Sequence, residues 1–270
     1  MRPGIASGAQ IAVLVFAVLL LAVPLSTWLA EILGVREAIH RDLLGRLVAF
    51  AAGAMLIVSI GPLRRMAAAE LSKPVRAGRR AEILAAIALR IVLALGVSGA
   101  TAWWIWTTQG NAVLAFRTGR DPMKELAHAF SPEGMFFFLV MGALIAPIVE
   151  ELVFRGFLYR AWERSWGWFP SMVAVSIVFG VYHPNFASAF VSSILFVCVL
   201  RRTGSLWGPI VVHAAGNALL WFPLAGQFVF PPAERAAGDI ASWGLQLACA
   251  LALVVCLPLY VWLAREPLPA

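Results

Sequence analysis

The sequence predicts an all-α polytopic membrane protein of about eight transmembrane segments, some short or broken. Three observations carry that expectation. Of the 270 residues, 61% are hydrophobic and 13% charged, whereas a soluble domain is nearer half apolar and a quarter charged. Mean hydropathy is +0.86. Apolar runs near the ~20 residues that a spanning helix needs recur along the chain. They fall at 11–33, 44–63, 82–107, 135–161, 205–226 and 240–263, with two shorter runs at 170–183 and 186–200.

The first run follows Arg2. It is longer than the roughly 7–15 apolar residues of a signal peptide, and no small-x-small cleavage site follows it, so it reads as a retained helix. Between the second and third runs, the loop from Arg64 to Arg80 carries Arg64, Arg65, Lys73, Arg76, Arg79 and Arg80 against one acid, Glu70. The excess of Arg and Lys on cytoplasmic loops assigns it to the inside. Both termini then face the cytoplasm, with Arg160, Arg164, Arg201, Arg202 and Arg265 on the same side. Arg36, Arg41, Arg46, Arg117, Arg120, Lys124 and Arg235 fall outside, and Arg90 and Arg155 fall within the membrane. Trp103, Trp104 and Trp106 mark one boundary and Trp162, Trp166 and Trp168 another, as interfacial belts do.

Segments 170–183 and 186–200 are each roughly 20 Å long as helices, against a hydrocarbon core of about 30 Å. They meet at His183-Pro184-Asn185, where proline ends regular helix. Broken helices at membrane depth need protein or a wet cavity around them. His183 is therefore expected inside the membrane rather than at its surface. The chain divides into N-terminal helices with the basic loop (1–134), a core (135–226) and a C-terminal helix (227–270), all in one membrane unit.

The formal net charge of +7 does not imply a nucleic-acid partner, because the basic residues are spread over short loops and form no arm or long patch. The bilayer is the partner they fit. Cys198, Cys249 and Cys256 are odd in number, lie in apolar runs and form no CxxC. They read as packing residues.

The stretch IAPIVEELVFRGFLYR, residues 145–160, places three charges in an apolar run. Each costs about 2.5–3.5 kcal/mol at the centre of a membrane helix. Glu151 and Arg155 are four apart with the acid first, the favourable order for an ion pair. Glu150 is turned by about 100° from Glu151 and calls for a partner on another helix. Pro147 is expected to disturb this helix and release a carbonyl. Of the four histidines, His40 and His128 fall in loops, while His183 (in FGVYH) and His213 (in HAAGN) fall in membrane segments. Asn217 lies one turn beyond His213. Counted from the cytoplasmic helix ends, Glu150, His213 and His183 come to depths of roughly 15–18, 12 and 20 Å.

A carboxylate beside an imidazole can hold and deprotonate a water. A second histidine and an amide can donate to an oxyanion where the dielectric is low. No HExxH occurs. A His, His, Glu set is also a known catalytic zinc ligand set, and spacing does not separate the two uses. No serine lies in a GxSxG turn.

These motifs resemble a known family. EELVFRGFL (Glu150 to Leu158) is similar to the EExxxR motif of the CPBP family, which includes CAAX prenyl endopeptidases of the Rce1 type and bacteriocin-processing or immunity proteins. FGVYH resembles its FxxxH, HAAGN its HxxxN, and RRTGSLWGPIVVH its lead-in; the resemblance spans about 135–226. It implies an intramembrane endopeptidase in which Glu150 is the general base and His183 helps bind the water. His213 and Asn217 would form the oxyanion hole, with Glu151 and Arg155 organising the site. The family has carried a metalloprotease label; the metal-free glutamate mechanism, with no cofactor, is the expectation here. The substrate expected is a membrane-anchored protein or peptide, and the location a bacterial inner membrane. The rival readings are a non-catalytic immunity or scaffold protein of the same family, and a transporter, for which no inverted repeat is found.

Overall fold

The computed structural model describes residues 58–109, 139–183, 185–229 and 238–266, with scattered positions between 25 and 55. Helix is the regular structure throughout, and no strand occurs among the described residues. The α-helices are α1 (Gly61–Leu71), α2 (Arg80–Gln109), α3 (Ala146–Glu151), α4 (Arg160–Trp166), α5 (Trp168–Tyr182), α6 (Phe186–Thr203), α7 (Trp207–Val229) and α8 (Gly238–Leu263). Two π-helical stretches, Val140–Ile145 and Leu152–Tyr159, flank α3, so the chain stays helical from Val140 to Trp166. Nearly all of the expected first segment, nearly half of the second, and His40 and His128 lie outside the described residues.

Two of the described helices are long and apolar enough to cross a membrane: Phe186–Thr203 and Gly244–Leu263. The first is hydrophobic on every side because it is a core helix. Leu195, Phe196, Val197, Cys198, Val199 and Leu200 are successive and all buried. The second is the opposite case, with Leu251 and Val254 each 73% exposed on a face suited to lipid. Of the pair expected to be short, α5 is so, at 15 residues or about 22 Å, whereas α6 runs to 18 residues, about 27 Å, and counts among the candidate spans. Asn185 caps α6 by accepting a hydrogen bond from the Ser188 backbone N–H at 3.1 Å.

The expected loop 64–80 is corrected in part. α1 extends to Leu71 and carries Arg64 and Arg65 on its exposed surface. Pro lies in its first turn, where the missing N–H does no harm. Leu, Arg, Met, Ala and Glu in PLRRMAAAEL are good helix formers, although their hydropathy reads as loop.

The chain forms two compact units. The first comprises Met1–Pro74 and Ile148–Val175, the second Val75–Pro147 and Ser176–Ala270. In the first unit, α1 packs on the π-helical stretch Leu152–Tyr159 and buries Leu63 and Ala67, one turn apart. An Arg160–Glu70 ion pair at 3.6 Å ties its last turn to α4. In the second unit, α2 is the hub and contacts α6, α7 and α8. It packs backbone to backbone on α8. A Cβ on Gly99 would stand 2.8 Å from the Gln246 backbone, and one on Gly96 2.9 Å from the Cys249 carbonyl. Small residues let membrane helices approach this closely.

Behind α6, Gly204 adopts φ +72° and its N–H closes on the Leu200 carbonyl at 2.8 Å, a left-handed helix end that suits glycine. The last turn of α6 holds the chain beyond α8. Arg201 Nε donates to the Ala264 carbonyl at 2.7 Å and Nη2 to the Glu266 carbonyl at 3.0 Å.

Candidate active site

The residues singled out in the sequence fall into two sets. Glu150, Glu151 and Arg155 belong to the first unit; His183, His213 and Asn217 belong to the second.

In the first set, Glu150 is the penultimate residue of α3 and is buried, 7% exposed. Glu151 ends α3 and Arg155 lies in the π-helical stretch behind it, both fully buried. Arg155 Nη1 donates to Glu151 Oε1 at 3.1 Å, the ion pair expected from the i,i+4 spacing. A π-helical stretch at this point is not legible from a 3.6-residue period, and such widened turns recur at functional sites. Tyr159, at its end, donates to Glu163 Oε1 at 2.8 Å.

In the second set, His183 follows α5 at the helix break. Its Nδ1 lies 2.7 Å from the Phe179 carbonyl. A carbonyl oxygen only accepts, so Nδ1 carries the proton and Nε2 the lone pair. The ring also packs against Phe179, with centroids 4.2 Å apart. The FxxxH motif therefore has a local physical meaning: Phe179 supplies both the acceptor that fixes the tautomer and the face that fixes the ring. His213, buried on α7, is stacked on Phe196 with centroids 4.6 Å apart and 21° between planes, and meets Phe179 edge-on at 6.0 Å.

Asn217, one turn after His213, reaches the other end of the second unit's segment 75–147. Its Nδ2 donates to the Gly142 carbonyl at 2.8 Å. The reason lies in Pro147. The Ala146 N–H bonds the Met141 carbonyl in the i→i−5 manner of a π-helix. The next bond of that pattern would run from residue 147 to Gly142, but proline has no N–H. The carbonyl expected to be released by Pro147 is thus that of Gly142, and Asn217 takes it. An amide nitrogen carries two hydrogens, so the second remains a donor.

Phe196 and Gly142 were not singled out in the sequence. Phe196 sits in an apolar run with no local mark, and a glycine carbonyl has none at all. Within neither unit do three His, Cys, Asp or Glu side chains of the described residues gather as a metal-ligating set.

A family model described as type II CAAX prenyl endopeptidase Rce1-like matches residues 132–219. The chain is also similar to the protein of Bacillus subtilis (strain 168) named "Putative membrane peptidase YdiL", with 22% identity over 108 residues. That similarity covers 39% of this chain and 44% of the relative, so the chain spans less than half the length of the relative it matches. No solved structure matches the chain. The matched segment, about a third of the chain, holds all three motifs, EELVFRGFL, FGVYH and HAAGN, and it is this segment that is similar to the Rce1-like type II CAAX prenyl endopeptidases.

Proposed function

We propose that the chain is an intramembrane endopeptidase that hydrolyses peptide bonds of membrane-anchored protein or peptide substrates by means of a water activated by Glu150. In this reading Glu150 takes a proton from the water as it attacks the scissile carbonyl and delivers it to the leaving amine. His183, protonated on Nδ1, accepts a hydrogen bond from that water through Nε2 and orients it. The oxyanion that forms is met by the His213 ring and by the second amide hydrogen of Asn217, donors held in place before the reaction begins. Phe196 and the Gly142 carbonyl do the holding. The rest of the proposal is a multi-pass topology of eight segments in a bacterial inner membrane, with both termini cytoplasmic.

The observation that carries the reading is a pair of adjacent buried carboxylates, Glu150 at 7% exposure and Glu151 at none, with Glu151 ion-paired to Arg155 at 3.1 Å. The resemblance to the EExxxR motif gives the general-base role to Glu150. The two stand in the segment matched by the endopeptidase family. The test is proteolysis of a panel of membrane-tethered peptides by purified protein, wild type against Glu150→Gln. Cleavage by wild type that vanishes in Glu150→Gln supports the base; a chelator added to the same reaction addresses metal. Cleavage that survives Glu150→Gln removes Glu150 from the mechanism.

A further inference from the structure

Arg90 is a charge in the middle of an apolar helix that the chemistry above does not use. It lies ten residues into α2, about 15 Å along the axis from Arg80 at the basic end. It is 94% buried, with 6% of its surface exposed. Neither its Nε nor its Nη1 has a hydrogen-bond partner among the described residues. A guanidinium is the most donor-rich side chain, and burying one without an acceptor costs several kcal/mol of solvation. Structure alone gives no reason to keep it there.

Its neighbour supplies a reason. Arg90 lies directly against Gly216, so that a Cβ at 216 would stand 2.7 Å from Arg90 Cγ and 3.2 Å from Nε. Gly216 is the fourth residue of HAAGN, between His213 and Asn217. On a helix it is offset by about 60° from His213, so the guanidinium stem runs beside the proposed oxyanion donors. Both residues belong to the second unit.

We propose that Arg90 is an anion subsite for the substrate, holding a carboxylate of the peptide beside the HAAGN turn. This rests on the endopeptidase reading above. A guanidinium fits carboxylate and phosphate alike. A lipid phosphate stays at headgroup level, near the exposed Arg80, whereas Arg90 is about three turns deeper. At that depth the anions a peptide brings are its terminal carboxylate and its Asp and Glu side chains. The subsite is a positioning device: it fixes which peptide bond stands at the His213–Asn217 side.

The test is binding, so that it does not depend on turnover. Three fluorescein-labelled hydrophobic peptides would be titrated by anisotropy into the full-length protein in detergent, in wild-type, Glu150→Gln, Arg90→Lys and Arg90→Met forms. One ends in a free carboxylate, one is its C-terminal amide, and one is an amide bearing an internal Glu. Loss of a charge-assisted hydrogen bond weakens binding roughly ten- to a hundredfold. That drop is expected on amidation in wild type and in Glu150→Gln, is reduced in Arg90→Lys, and is absent in Arg90→Met. Rescue by the internal Glu identifies a side-chain carboxylate; no rescue identifies the terminus. Arg90→Met is also expected to melt no lower than wild type, since it removes a buried charge with no acceptor. Equal binding of acid and amide by wild type overturns the proposal, as does a uniform loss in Arg90→Met across all three peptides with a lowered Tm. Either leaves the cleavage test of Glu150→Gln untouched.

Discussion

Consider the replacement of Glu151 by Gln, alone and together with Arg155→Met. The two charged groups meet at 3.1 Å, and neither side chain has any exposure. At an effective dielectric of about 20, unit charges about 4 Å apart attract by ~4 kcal/mol. Removing one partner takes away this attraction while the other charge stays buried, which costs about 3–5 kcal/mol. Either single change should therefore shift the folding equilibrium by roughly a hundredfold to a few thousandfold. Removing both charges takes away the desolvation penalty as well as the attraction. The double variant should lie within about 1 kcal/mol of wild type, or above it. The assay is reversible unfolding in bicelles read by steric trapping, with all four proteins in one double-mutant cycle. Coupling above about 2 kcal/mol is expected. Single variants that each lose under about 1 kcal/mol, with additive effects, would refute the pair as the reason these buried charges are tolerated.

Other outcomes follow from the second unit. Phe196→Leu keeps bulk but removes the ring stacked on His213; it should cost about 0.5–1.5 kcal/mol in stability and lower kcat more than it raises KM. Asn217→Ala leaves the Gly142 carbonyl without its donor. About 1–3 kcal/mol of stability should go with it, measured by thermal unfolding, together with peptide cleavage. Two glycines in the same unit should give opposite signs. Gly99→Ala meets the Gln246 backbone at 2.8 Å and should destabilise by about 1–3 kcal/mol. Gly244→Ala meets nothing within 4 Å and should stabilise by about 0.4–1 kcal/mol. Thermal melts of both in one detergent check the contrast.

Legibility in the sequence followed the range of each interaction. The helical class came from composition, and the Glu151–Arg155 pair from a spacing of four. The break between α5 and α6 came from His183-Pro184-Asn185, and the released carbonyl from Pro147. All are local. The acceptor of Asn217 is not, because Gly142 lies 75 residues away and bears no side chain to advertise it. Arg90 stood out as a charge in an apolar run, but its meaning comes from contact with Gly216 on another helix. The π-helical stretches escape for a different reason: a pattern with period 3.6 has no way to signal a change of winding. The basic loop is shorter than hydropathy implies, because hydropathy tracks polarity whereas α1 follows backbone propensity.

The close approach of α2 to α8 also sets a timetable for biogenesis. The glycine face of α2 at Gly96 and Gly99 has its partner at Gln246 and Cys249, about 150 residues further along the chain. At roughly 5–20 residues per second, a ribosome reaches that partner on the order of ten seconds after α2 is made. During that interval, notches shaped for another helix stand unfilled. The Glu151–Arg155 pair, by contrast, closes within a single turn as it is synthesised. That pair in the first unit is neutralised early, while the hub of the second is complete only once α8 is made.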